Sequence, residues 1–136
     1  MIGLDTNVLV RLLVQDDPGQ GAQASALVAS FSETSPRFIS REVMVETVWV
    51  LERAYNLPRP KIAATLEGLL EARELIVETS ERVAVALDRY SKGGAGFSDQ
   101  MIALAGMDAG CSMTMTFDRK AAASPVMQLV GSAAEH

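Results

Sequence analysis

Short apolar runs alternate with longer amphipathic stretches along these 136 residues, and the links between runs are too long for hairpins. Strands spaced in this way must return by crossovers, which favours a parallel sheet covered by helices. The runs are Met1–Leu4, Arg37–Ile39, Leu75–Val77, Ser112–Thr116 and Val126–Val130. They predict an α/β chain with a central parallel β-sheet of four to five strands flanked by helices on both faces. The length suits a single domain over residues 1–136, whose last few residues are expected to lack order.

Helix signals fall between the runs. Asp5 or Thr6 can cap a helix over Val8–Val14. Asp16-Asp17-Pro18 pairs an acidic cap with a first-turn proline and opens a helix to about Phe31. Ser40 is placed to cap Arg41–Tyr55, where Val43, Thr47, Val50, Leu51 and Ala54 form one stripe. Arg59-Pro60 starts a helix to about Glu71, and Ser80 is placed to cap another to Tyr90. The glycine-rich loop Lys92–Gly96 precedes a helix over Asp99–Ala109, capped by Ser98 and ended by Gly110. That loop lacks the Gly-Lys-Ser/Thr ending of a phosphate-cradling loop and does not follow a strand.

Composition excludes several chemistries. The only histidine is His136, the last residue, which argues against Ser-His-Asp and Cys-His mechanisms. Cys111 is the only cysteine, so neither an intrachain disulfide nor a cysteine zinc site can form. It is expected to be buried and inert, and the methionines, among them Met101, Met107, Met113 and Met115, to fill the core. No apolar run reaches the ~18 residues of a membrane span, and the start lacks a signal-peptide pattern. The expectation is a cytoplasmic protein with no membrane association. Its net charge of −5 does not suggest a simple electrostatic clamp on nucleic acid.

Four acids occupy special places. Asp5 ends the first run, Asp118 follows the fourth, and Asp99 opens a helix after the glycine-rich loop. Ligand sites of open parallel sheets lie beyond the carboxyl ends of strands. Glu46 is the only charge between Val43 and Leu51, and a buried carboxylate there needs a partner. Each also has a simpler role. Asp5 and Asp99 suit helix starts, Asp118 suits a turn, and Glu46 can point outward beside Glu42. Brought together, the four would repel one another and any phosphate. A hard divalent cation resolves both problems, which makes a phosphodiesterase site compatible with an acidic chain.

The opening Met1-Ile2-Gly3-Leu4-Asp5-Thr6-Asn7-Val8-Leu9-Val10, the run Ile39-Ser40 through Glu46 to Leu51, Phe97-Ser98-Asp99-Gln100-Met101-Ile102-Ala103, and Thr116-Phe117-Asp118-Arg119 together resemble a PIN domain. The resemblance is to the VapC-like toxin branch of bacterial VapBC toxin–antitoxin pairs, and it extends from residue 1 to about 130. It implies an Mg²⁺-dependent endoribonuclease, with Mn²⁺ as a substitute, that hydrolyses RNA by metal-activated water. It implies Asp5, Glu46, Asp99 and Asp118 as metal ligands and Thr116 as the polar residue that positions a ligand or the phosphate. Many relatives carry a further aspartate where this chain has Gly96. A homodimer and inhibition by a cognate VapB-like antitoxin are also implied, and an acidic toxin suits a basic partner.

Arg11, Arg41, Arg53, Arg89, Lys92, Arg119 and Lys120 are candidates to hold RNA phosphates, with Arg119 and Lys120 best placed beside Asp118. Each can equally be ordinary surface charge. Competing classes are a PIN-type nuclease without an antitoxin, a phosphoacceptor receiver and a non-catalytic interaction module. A receiver would not place an acid such as Glu46 inside a helix.

Overall fold

The computed structural model describes residues 1–14 and 18–131. The expected helix-opening acids Asp16 and Asp17, and the terminal residues including His136, lie outside the described residues. The chain divides into two compact units, Met1–Ser80 and a second from Glu81 onward.

In the first unit the order is β1 (Ile2–Gly3), α1 (Thr6–Leu13), α2 (Pro18–Ala29), β2 (Arg37–Ile39), α3 (Arg41–Arg53), α4 (Arg59–Glu71) and β3 (Leu75–Val77). The three strands form a parallel sheet in the order β1-β2-β3, with Gly3 opposite Phe38 and Phe38 opposite Ile76. The ladder continues past the strand ends through Leu4 N–H to the Phe38 carbonyl and Glu78 N–H to the Ile39 carbonyl, both at 2.9 Å.

Caps set the helix starts. Ser40 Oγ accepts from Val43 N–H at 3.1 Å and so begins α3 where its residue type predicts. Val43, Thr47 and Leu51 of the expected stripe are buried, joined by Met44 and Val48. Leu9 and Val10 of α1 and Ile62 and Leu66 of α4 are buried as well, and both helices pack against α3. Asn56, at φ 52°, turns the chain out of α3, a left-handed conformation that asparagine tolerates. Arg37, on β2, is buried. Its guanidinium donates to the Ser35 carbonyl, Ser35 Oγ and Ser30 Oγ and lies 5.1 Å from the Phe31 ring centre.

The second unit contains α5 (Ser80–Ser91, which begins at the boundary), α6 (Phe97–Asp108), β4 (Thr114–Thr116), a single 3-10 turn (Ala121–Ala123) and β5 (Met127–Leu129). Strands β4 and β5 pair in parallel, with Met115 opposite Gln128. Tyr90 and Phe97 meet edge to face with centroids 6.0 Å apart, and Ala103, Ala121 and Met127 pack together. Gly110, at φ +95°, follows α6 as the C′ residue, and Cys111 N–H returns to the Gly106 carbonyl at 2.9 Å.

The α/β class and the parallel pairing agree with the sequence reading. The expected single sheet of four to five strands does not. Among the described residues there is a three-stranded sheet and a separate two-stranded one. The strands are only two or three residues long, so each ladder offers few backbone groups with which to extend a sheet.

Several local expectations also change. Ile2 is 60% exposed although its apolar run suggests a buried strand, and β1 lies at the edge of its sheet. Met107, in the last turn of α6, and Met113 and Met115 are exposed, whereas Met44, Met101 and Met127 do fill the interior. Cys111 is exposed, just beyond the end of α6. Helix α6 begins two residues earlier than its serine suggests. The Gly96 carbonyl accepts the first helical bond from Gln100 N–H at 3.0 Å, which makes Gly96 the N-cap.

Candidate metal and phosphodiesterase site

Asp5 follows β1 at its carboxyl end and is the N-cap of α1. Its Oδ1 accepts from Thr6 N–H at 2.7 Å. Glu46 lies midway along α3, and the Thr6 hydroxyl donates to its Oε1 at 3.0 Å. Thr6 thus engages one oxygen of each carboxylate, through its backbone and its side chain respectively. Glu46 is exposed rather than buried, so the outward orientation is the one adopted. Beside it Thr47 is fully buried, which marks where the apolar face of α3 ends.

In the second unit Asp99 is the third residue of α6, half-buried, and its Oδ2 accepts from Gly96 N–H at 3.3 Å. This is the carboxylate half of a capping box. A Cβ at Gly96 would stand 3.5 Å from that oxygen, an ordinary contact. Asp118 is exposed, and its Oδ1 accepts from Lys120 N–H at 2.8 Å and Ala121 N–H at 3.3 Å. Thr116 Oγ1 accepts from Asp118 N–H at 3.0 Å, so this hydroxyl fixes the backbone that carries Asp118.

The structure therefore links Asp5 with Glu46 in the first unit and Thr116 with Asp118 in the second. Among the described residues no group of three or more His, Cys, Asp or Glu is preassembled to hold a metal ion. The donor chemistry nevertheless fits a hard divalent cation. All four side chains are carboxylates, and each keeps lone pairs beyond the hydrogen bonds described here.

The candidate phosphate-binding cations differ in setting. Arg41 Nε lies 3.8 Å from Glu42, Lys92 Nζ donates to Asp88 at 3.0 Å, and Arg53 lies 5.6 Å from the Trp49 ring centre. Arg89 is half-buried, whereas Arg119 and Lys120 are exposed. Two contributions escaped sequence reasoning. Glu78, just beyond β3, accepts from Arg41 N–H at 3.0 Å and so helps to begin α3. The Thr6–Glu46 bond joins residues forty apart, and no local spacing signals it.

A PIN-domain family model matches residues 2–124, a span that includes all five candidate residues, and the chain belongs to that family. Within it the chain is VapC-like. It is 27% identical over 121 residues to the VapC ribonuclease of Aquifex aeolicus (strain VF5), covering 86% of this chain and 87% of that protein. Among the described residues no helix is long and apolar enough to cross a membrane.

Proposed function

We propose that this chain is a metal-dependent endoribonuclease acting as the toxin of a type II toxin–antitoxin pair. It works as one PIN domain in the cytoplasm, forms a homodimer and is held inactive by a cognate VapB-like antitoxin. The observation that carries the reading is the linked pair Asp5 and Glu46 at the carboxyl end of a parallel sheet, in a chain of the PIN family.

Asp5, Glu46, Asp99 and Asp118 are the residues that would hold Mg²⁺, for which Mn²⁺ could substitute. The bound ion supplies Lewis acidity, which lowers the pKa of a water and polarises a phosphoryl oxygen. The chain's own residues do the rest. One of the carboxylates would also orient the attacking water. Thr116 keeps Asp118 in position through the 3.0 Å bond to its backbone. Arg119 and Lys120 beside it attract the RNA phosphates that the carboxylates would otherwise repel. A basic segment of the antitoxin competes for the same acidic surface.

The test is cleavage of a total bacterial RNA pool by purified, antitoxin-free protein. Samples contain Mg²⁺, Mn²⁺ or EDTA, and Asp5→Asn protein is run beside the wild type. A few discrete products, lost with EDTA and in the variant, are expected. The same RNA pattern in every sample from folded protein would overturn the reading.

A further inference from the structure

Thr6 is placed unusually for a residue at the start of a helix. Its backbone N–H goes to Asp5 Oδ1 at 2.7 Å, and its hydroxyl goes to Glu46 Oε1 at 3.0 Å. A threonine hydroxyl has one proton to donate, and here it goes to a carboxylate of another helix. Helices α1 and α3 pack against each other, so the two carboxylates approach from separate elements of one unit. The N-terminal end of α1 carries partial positive charge, which favours both acids.

Stability alone does not account for this bond. Glu46 is exposed, and a hydrogen bond open to water adds little to folding because water replaces it readily. Orientation is a stronger account. A glutamate side chain is long and rich in rotamers, and it must be immobilised to serve as a ligand. Threonine is branched at Cβ, which confines χ1 to few rotamers and limits the directions its hydroxyl can take. The bond leaves the other oxygen of Glu46, and remaining lone pairs on Asp5, as acceptors for a cation.

From this geometry we propose that Thr6 is a positioning residue that orients Glu46 against Asp5 and so sets the affinity for the divalent cation. The proposal rests on the reading of Asp5 and Glu46 as metal ligands given above. Thr6 itself touches neither metal nor RNA in this scheme and acts through the two carboxylates.

Mn²⁺ binding, measured by calorimetry and by the loss of the free-ion paramagnetic resonance signal, tests it without reference to RNA. Thr6→Val keeps the shape and removes the hydroxyl, Thr6→Ser restores a hydroxyl, and Thr6→Ala guards against strain at the helix start. Thr6→Val and Thr6→Ala are expected to bind Mn²⁺ about 10-fold more weakly, within the range found for outer partners of metal ligands. Thr6→Ser is expected to recover most of that loss, and thermal midpoints should stay close to wild type. In a Glu46→Ala background, Thr6→Val should have no further effect.

Folded Thr6→Val and Thr6→Ala proteins that bind Mn²⁺ as wild type does would overturn the proposal. Wild-type protein that takes up no Mn²⁺ would overturn it together with the ligand reading. Wild-type protein that binds Mn²⁺ but cuts no RNA would remove the nuclease reading alone. In that case the affinity series still decides the role of Thr6.

Discussion

Thr6 Oγ1 donates to Glu46 Oε1 across 3.0 Å, and the two residues are forty positions apart in the chain. The bond ties the start of one helix to the middle of another. It forms on the polar side of α3, next to the fully buried Thr47. The apolar face of α3 stops where the carboxylate begins.

Charge removal at Asp5 and Asp118 should separate chemistry from folding. Asparagine caps a helix as well as aspartate does and can accept the same backbone bonds. Asp5→Asn and Asp118→Asn should therefore keep the wild-type thermal midpoint while Mg²⁺-dependent cleavage falls on the order of 100-fold or more. Cleavage assays beside thermal melts check both halves. Full activity in the double variant would remove these two positions from the site.

Arg119 and Lys120 should act through phosphate charge. Binding of single-stranded RNA should weaken as salt rises, and each alanine substitution should make the log–log salt slope shallower by about 0.7. Fluorescence anisotropy across a salt series measures this. An unchanged slope in both variants would assign them to ordinary surface charge.

Gly96 tests the position where the PIN resemblance leads one to expect a further aspartate. Its backbone φ of −69° suits any residue, and a Cβ there meets Asp99 Oδ2 only at 3.5 Å. Gly96→Asp should fold, because aspartate is a good N-cap. It should also bind Mn²⁺ more tightly and lose some stability without metal, since it adds a like charge beside Asp99. Calorimetry and melts with and without Mn²⁺ read the two effects. A variant with unchanged affinity would place residue 96 away from the ion.

Two helical glycines should respond with opposite signs. A Cβ at Gly68 in α4 meets nothing within 4 Å, so Gly68→Ala should stabilise by about 0.8–1 kcal/mol. A Cβ at Gly106 in α6 would lie 2.7 Å from Thr114 Oγ1. That clash should outweigh the helix gain and make Gly106→Ala destabilising by about 1 kcal/mol. Adding Thr114→Ala should recover much of the loss. Urea denaturation of the single and double variants checks the pattern.

The legible parts of this fold are those with local signals. Strands β2 and β3 and helix α4 fall where apolar runs and prolines place them, and α3 starts at its serine cap. The serine rule misplaces α6, because Asp99 caps back onto Gly96 N–H and a glycine suffices there. Sheet division was hidden because strand pairing joins distant segments, and strands this short carry little register information. At the site, Asp5 and Glu46 stood out as acids in unusual company. Glu46's exposure was one of two orientations that spacing allowed, and its link to Thr6 depends on how α1 meets α3.

Cys111 has a practical consequence for measuring assembly. It is the chain's single thiol, and it is exposed. Two copies can therefore become joined by air oxidation with no complementary surfaces at all. Only particles that keep their mass in fresh dithiothreitol, or after Cys111→Ser, count as evidence of a homodimer. The same lone thiol also accepts one maleimide dye per copy, which provides a stoichiometric label for counting protomers.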